Sequence, residues 1–224
     1  VESLAQKGFL KVICGTDTDV GKTIVSALFV QGLEATYWKP VQSGTEGGGD
    51  RQRVIDLLEL PKKRWQQEAY AFQAPVSPHW AAEQEGRCID PEQLKLPAID
   101  GPLVVETAGG LMVPLTRHWL QIQQLERWKL PVVLVARSEL GTLNHTLLSL
   151  EALRTRNIAI LGLVMNGPPH ADNPRTLNEL GDVPLLCELP PLEELNAAAL
   201  ARQWRVQNVK AKVETEINRL KASR

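Results

Sequence analysis

Apolar positions along this chain come in two kinds of run, and their alternation sets the first expectation about the fold. Short continuous apolar stretches at 9–14, 102–106, 131–136, 158–166 and 184–189 suit strands of a sheet buried on both faces. The segments between them read as helices. Residues 23–30 can run as a buried helix, 51–60 as a helix opened by Asp50 as its N-cap, and 77–86 as a short helix with Pro78 at its first position. A further amphipathic stretch runs from Gly141 to about Arg156. Strands alternating with helices in this way predict an α/β fold, a mainly parallel sheet with helices on both faces.

The weaker parts of the pattern give weaker elements. Residues 34–39 form a short second strand that stops at Pro40, and the glycine-rich segment 41–49 reads as a mobile loop. Pro61, Pro75, Pro78, Pro91 and Pro97 break 61–100 into short pieces. A helix is expected from about 192 to 204. Val206, Val209, Val213, Ile217 and Leu220 then recur at helical spacing, one stripe of a terminal helix from about 205 that packs on the body or on a partner chain.

A length of 224 residues is enough for a single domain, 1–224, with a full-sized core. The formal charge of −1 supplies no general field for nucleic acid or an anionic membrane. No apolar run reaches the roughly 18 residues of a membrane span, and residues 1–8 lack the layout of a secretory signal, so the expected location is the cytoplasm. Cys14, Cys88 and Cys187 are far apart and in no metal-ligand spacing, and they read as ordinary buried or partly buried thiols.

Candidate chemistry concentrates where the first strand meets the first helix. Residues 15–23, Gly-Thr-Asp-Thr-Asp-Val-Gly-Lys-Thr, are a glycine loop between strand and helix, which can wrap backbone N–H groups around a nucleotide's phosphates. Lys22 would reach the outer phosphates and Thr23 would offer a hydroxyl to Mg²⁺. Gly15 lies one residue earlier than the usual spacing of such a loop. Lys39 and Ser43 fall where strands of an open parallel sheet present their carboxyl ends, the edge at which ligands bind. Glu106 ends a buried strand, where an acid needs a cation to justify its burial. His79 reads as a helix-start histidine.

With these motifs in order, the chain resembles the dethiobiotin synthetase family, of the P-loop NTPase fold. The resemblance rests on the loop 15–23, on Tyr-Trp-Lys-Pro-Val-Gln-Ser-Gly at 37–44, and on Pro-Val-Ser-Pro-His at 75–79 with Glu85-Gly86. It continues in Glu-Thr-Ala-Gly-Gly at 106–110, Leu-Gly-Thr-Leu-Asn-His at 140–145, Val-Met-Asn at 164–166 and Pro-Leu-Leu-Cys-Glu-Leu-Pro at 184–190. It implies an ATP- and Mg²⁺-dependent enzyme that closes a cyclic urea from CO₂ and 7,8-diaminononanoate. It gives Lys22 and Lys39 the catalytic cations, and Thr23, Asp50 and Glu106 the metal. Asp19, Val20, Gly21, Lys22, Thr23, Asn166 and Pro190 fall to the nucleotide. Thr18, Ser43 and Gly109 fall to the substrate, joined by Leu140, Gly141 and Asn144 reaching in from the neighbouring subunit of a homodimer.

Two positions depart from the family's pattern. Thr107 stands where a glycine is usual, which would bring a β-branched side chain close to phosphate or substrate, and Cys187 stands where glycine is expected near the base. A different class remains as the alternative, a P-loop switch ATPase of the partition or septum-site type. Those proteins carry a lysine five residues before the loop lysine, and here that position is Asp17.

Overall fold

The computed structural model describes residues 10–222. Phe9, expected at the head of the first strand, and residues 1–8 lie outside them. In chain order the elements are β1 (Leu10–Gly15), α1 (Lys22–Gly32), β2 (Thr36–Trp38), β3 (Val41–Ser43), α2 (Gly49–Leu58), β4 (Trp65–Gln66), β5 (Tyr70–Phe72) and α3 (Pro78–Gln84). Next come β6 (Leu103–Gly110), β7 (Pro114–Thr116), β8 (Trp119–Leu120), α4 (Gln121–Trp128), β9 (Val132–Arg137) and α5 (Thr142–Thr155). The chain closes with β10 (Ile160–Asn166), α6 (Asn173–Gly181), β11 (Leu185–Leu189), α7 (Ala197–Val206) and α8 (Val209–Ala222).

Seven strands form one parallel sheet in the order β11-β10-β9-β1-β6-β2-β4. The continuous apolar runs are divided between its two faces by the pleat, which turns successive side chains in opposite directions. Val12, Leu103, Val105, Val132 and Leu134 join one apolar cluster with Ile122, Leu125, Leu150 and Leu153 from α4 and α5. Ile13, Val104, Val133 and Val135 join the other with Val25, Leu28 and Phe29 of α1 and Leu200 and Trp204 of α7. Each large apolar side chain buried this way contributes roughly 1.5–3 kcal/mol. β1 lies inside the sheet between β9 and β6, so the loop at its carboxyl end is held by strands on both sides.

Four expectations are corrected. The segment 41–49 is ordered: β3 pairs in parallel with β5, and the Gln42 amide donates to the carbonyls of Ser43 and Gly44 at 2.8 and 3.0 Å. Asp50 is not the N-cap of α2; that place belongs to Gly48, and Asp50 sits in the first turn. Val206 does not belong to the terminal stripe. It ends α7, 76% exposed, and the left-handed Asn208 breaks the helix before Val209 and Val213 enter the core, so α8 packs on β10 and β11 of its own chain. Cys88 lies in irregular chain after α3 and is exposed, whereas Cys14 and Cys187 are buried, their thiols pushed up to about 12 by burial.

Candidate active site

The carboxyl ends of β1, β2 and β6 open into a cavity of about 700 Å³. The loop after β1 forms its floor because its backbone is bent for that purpose. Asp19 takes a left-handed φ of 56°, and Gly21 follows at 94° as the N-cap of α1. A side chain at Gly21 would meet Asn166 Nδ2 at 2.1 Å, so glycine is required there. α1 begins with no side-chain cap and no acid in its first turn, which leaves its free N–H groups for an anion. Lys22 is buried and folds back to donate to the Asp17 carbonyl at 2.7 Å. Burial, and next the Lys39 charge, hold its ammonium below the usual lysine range.

Beside the loop, one ammonium is gripped by two acids. Lys39, just past β2 and 4% exposed, lies 2.5 Å from Asp50 Oδ2 and 2.9 Å from Glu106 Oε1. Burial alone would lower its pKa, but the Glu106 and Asp50 charges outweigh burial and raise it. The Asp50 carboxyl is likewise held below its ordinary value, because the Lys39 charge and hydrogen bonds from Lys39 and Thr23 overcome burial. Thr23 Oγ1 donates to the same Glu106 oxygen at 2.9 Å, and the Tyr37 phenol donates to the other, Oε2, at 2.9 Å. Glu106 is wholly buried, and its two oxygens accept from three side chains.

Of the residues singled out in the sequence, Thr18, Asp19, Gly21, Lys22, Thr23, Lys39, Ser43, Asp50, Glu106 and Gly109 line this one cavity. The Ser43 hydroxyl is buried there without a hydrogen-bond partner. Val20 turns its side chain into the core, and its carbonyl accepts from Asn166 Nδ2 at 3.1 Å. Asn166 therefore braces the loop from the end of β10. Pro190 follows β11, the strand paired with β10, half-buried and away from the cavity lining. Leu140, Gly141 and Asn144 are exposed at the start of α5 and do not enter the cavity of their own chain.

Both departing positions are buried. Thr107 has the pleat parity of Leu103 and Val105, facing the layer away from α1; it is fully buried, does not line the cavity, and leaves its hydroxyl unpaired. Cys187 is a core residue. His79 is half-buried and outside the lining. Sequence reading passes over Tyr37, Gln42 and Arg53. Gln42 Oε1 accepts from the Asp50 N–H at 3.1 Å and so fixes the first turn of α2. Arg53, one turn further along α2, lines the cavity. The one local signal for them was position: Tyr37 and Gln42 flank Lys39, and Arg53 shares a helix face with Asp50.

All the oxygens around Lys39 are hard donors, one hydroxyl and two carboxylates, and positive charge is what they already hold. That set fits Mg²⁺, which takes few protein ligands and keeps several waters.

Comparison with known proteins gives consistent results. A family model described as an AAA domain matches residues 11–199. An ATP-dependent dethiobiotin synthetase BioD from Rhodopseudomonas palustris (strain HaA2) is 53% identical over 189 residues, 84% of this chain and 89% of that protein. The biotin biosynthesis bifunctional protein BioCD of Bordetella avium (strain 197N) is 50% identical over 84% of this chain and 41% of its own length. Among solved structures, the septum site-determining protein MinD of Pyrococcus horikoshii OT3, complexed with Mg-ADP, superposes with a TM-score of 0.53 at 14% identity, covering 95% of this chain and 96% of that one. That likeness is one of fold.

Proposed function

The chain belongs to the ATP-dependent dethiobiotin synthetase family, and from that premise we propose how its cavity works on 7,8-diaminononanoate, CO₂ and ATP to give dethiobiotin, ADP and phosphate. One amine of the substrate takes up CO₂ as a carbamate. A carbamate oxygen attacks the terminal phosphorus of ATP and ADP leaves; the second amine then attacks the carbonyl carbon, and phosphate leaves as the ring closes. Negative charge builds up in each of the first two steps, and catalysis consists largely of cations fixed in advance.

The observation that carries this reading is the grip of Asp50 and Glu106 on Lys39 beside the open N-terminus of α1. Lys22 and the loop N–H groups of Asp19 to Thr23 hold the outer phosphates. Lys39 faces carbamate and transferred phosphate. Thr23, Asp50 and Glu106 would hold Mg²⁺, whose chemistry here is to neutralise phosphate charge. Thr18, Ser43 and Gly109 line the substrate's side, and the unpaired Ser43 hydroxyl is free to bond a carbamate or amine. Asn166 spends one amide hydrogen on Val20, and its carbonyl oxygen remains to accept from the adenine amino group, with Pro190 just past Leu189, the partner of Asn166 on β11.

Two parts of the proposal concern assembly and place. Leu140 is fully exposed ahead of α5, where it, Gly141 and Asn144 suit a second copy better than the parent cavity, and the working unit is a homodimer. No helix among the described residues is long and apolar enough to cross a membrane. We place the enzyme in the cytoplasm, acting on small molecules, and the formal charge of −1 offers no general field for nucleic acid or an anionic membrane.

Phosphate release from ATP, Mg²⁺ and bicarbonate, measured with and without 7,8-diaminononanoate, tests the function. Release that requires the diamine, with the cyclic urea found by mass, is the expected result. Slow release indifferent to the diamine would sink it and point to a nucleotide-driven switch.

A further inference from the structure

We propose that Arg53 is a third cation of the phosphate site and reads the terminal phosphate of the nucleotide; this rests on the cavity being the ATP site. Three cations line the cavity, Lys22, Lys39 and Arg53, against three acids, Asp19, Asp50 and Glu106. The lining is thus formally neutral, although it has to hold a triphosphate. Without Arg53 it would be formally negative.

The three cations are not equally available. Lys39 is spent on Asp50 and Glu106, and Lys22 is buried and turned onto its own loop. Arg53 has no ion pair or hydrogen bond among the described residues, whereas its neighbours on α2 are committed: Arg51 to Glu68 at 2.8 Å and Gln52 to Asp56 at 2.7 Å. Most exposed arginines need no explanation, but this one, although exposed, lines the cavity.

Its place on α2 says which phosphate it meets. Asp50, three residues earlier on the same helix face, bonds Lys39 and Thr23, the two groups nearest the position where the outer phosphates must lie. Arg53 continues that face past the loop, toward the end of the triphosphate rather than toward the base, which the braced Asn166 marks on the far side of β1. A planar guanidinium can take two phosphate oxygens together, as a lysine cannot. Arg53 therefore distinguishes ATP from ADP, holding the phosphoryl group before transfer and losing its grip on the nucleotide afterwards.

Titration calorimetry with Mg²⁺ and either AMP-PNP or ADP, on wild type, Arg53→Ala and Arg53→Lys, decides the matter. Arg53→Ala should weaken AMP-PNP about tenfold, as loss of a partly exposed charge-assisted contact would, and change ADP by less than about twofold. Arg53→Lys should recover part of the loss. Equal weakening of both nucleotides, or of neither, overturns the proposal. So does a rise in KM for 7,8-diaminononanoate alone, which would give Arg53 to the substrate's carboxylate. The affinities need no diamine, so failure of diamine-dependent turnover would count against the proposed reaction while leaving the Arg53 result to stand or fall separately.

Discussion

The phenol of Tyr37 donates a 2.9 Å hydrogen bond to Glu106 Oε2, and neither side chain reaches solvent. Tyr37 and Glu106 share a face because β2 and β6 are adjacent in the sheet and the pleat turns both toward α1. With Oε2 taken, Glu106 presents a single oxygen, Oε1, to Thr23 and Lys39.

Tyr37→Phe keeps the ring and removes only that donor. A hydrogen bond to a charged group is worth about 1.5–3 kcal/mol, so melting should fall by several degrees and the Mg²⁺ concentration for half-maximal turnover should rise several-fold. A drop in melting temperature with an unchanged Mg²⁺ response would make Tyr37 a packing residue and no more.

Lys39→Ala should retain ATP binding and lose at least about 100-fold in kcat, since its work begins with the carbamate. The same variant frees two carboxylates that Lys39 now neutralises. Its nucleotide-free affinity for Mg²⁺, followed by calorimetry, should therefore increase. Near-normal turnover would remove Lys39 from the mechanism.

Lys11 is 2% exposed on β1, and burial lowers its pKa from 10.5 to about 8. Below pH 8 it is charged in both folded and unfolded chains, so its contribution there does not change with pH. Between pH 8 and 10.5 the unfolded chain binds more protons, so stability from this group rises with pH across that window and then levels off. Lys11→Met should flatten the rise in melting temperature between pH 8 and 10.5. A variant that keeps the wild-type slope would place the titration elsewhere.

Thr107→Val is expected to be neutral or stabilising, by up to about 1 kcal/mol in urea unfolding, because it deletes a buried hydroxyl that has no partner. It should leave turnover untouched, as Thr107 does not line the cavity. A clear loss of activity would restore the contact with substrate that its position in the motif suggests.

The site was legible where chemistry is local in sequence. The loop 15–23 and the acids and lysine at strand ends announce themselves because a parallel sheet delivers all its carboxyl ends to one edge. Tyr37 escaped notice because its partner lies 69 residues away, and only the β2–β6 register shows them on one face. The side Thr107 faces is likewise invisible in the motif: adjacent positions on a strand face opposite layers, and Thr107 turns away from the cavity that Glu106 lines. Val206 continues a helical spacing that Asn208 interrupts, and periodicity has no sensitivity to one left-handed residue. The helix α6 and the β7–β8 hairpin belong to segments for which the apolar pattern gave no expectation.

α7 and α8 touch the sheet in a way that bears on how copies of the chain can meet. The Gln207 side-chain amide, between those helices, accepts from the Glu188 N–H at 2.8 Å and donates to the Glu188 carbonyl at 2.6 Å, and Lys212 Nζ donates to the Leu186 carbonyl at 3.2 Å. Gln207 thus imitates one residue of a neighbouring strand on β11, the outermost strand at that side. The opposite outermost strand, β4, has only two residues, and Lys62 and Arg51 lie over its Trp65 ring. Short or occupied margins of this kind resist pairing with another chain. Growth by adding strands, the route to ribbons and fibres, is therefore hindered at both sides of the seven-stranded sheet.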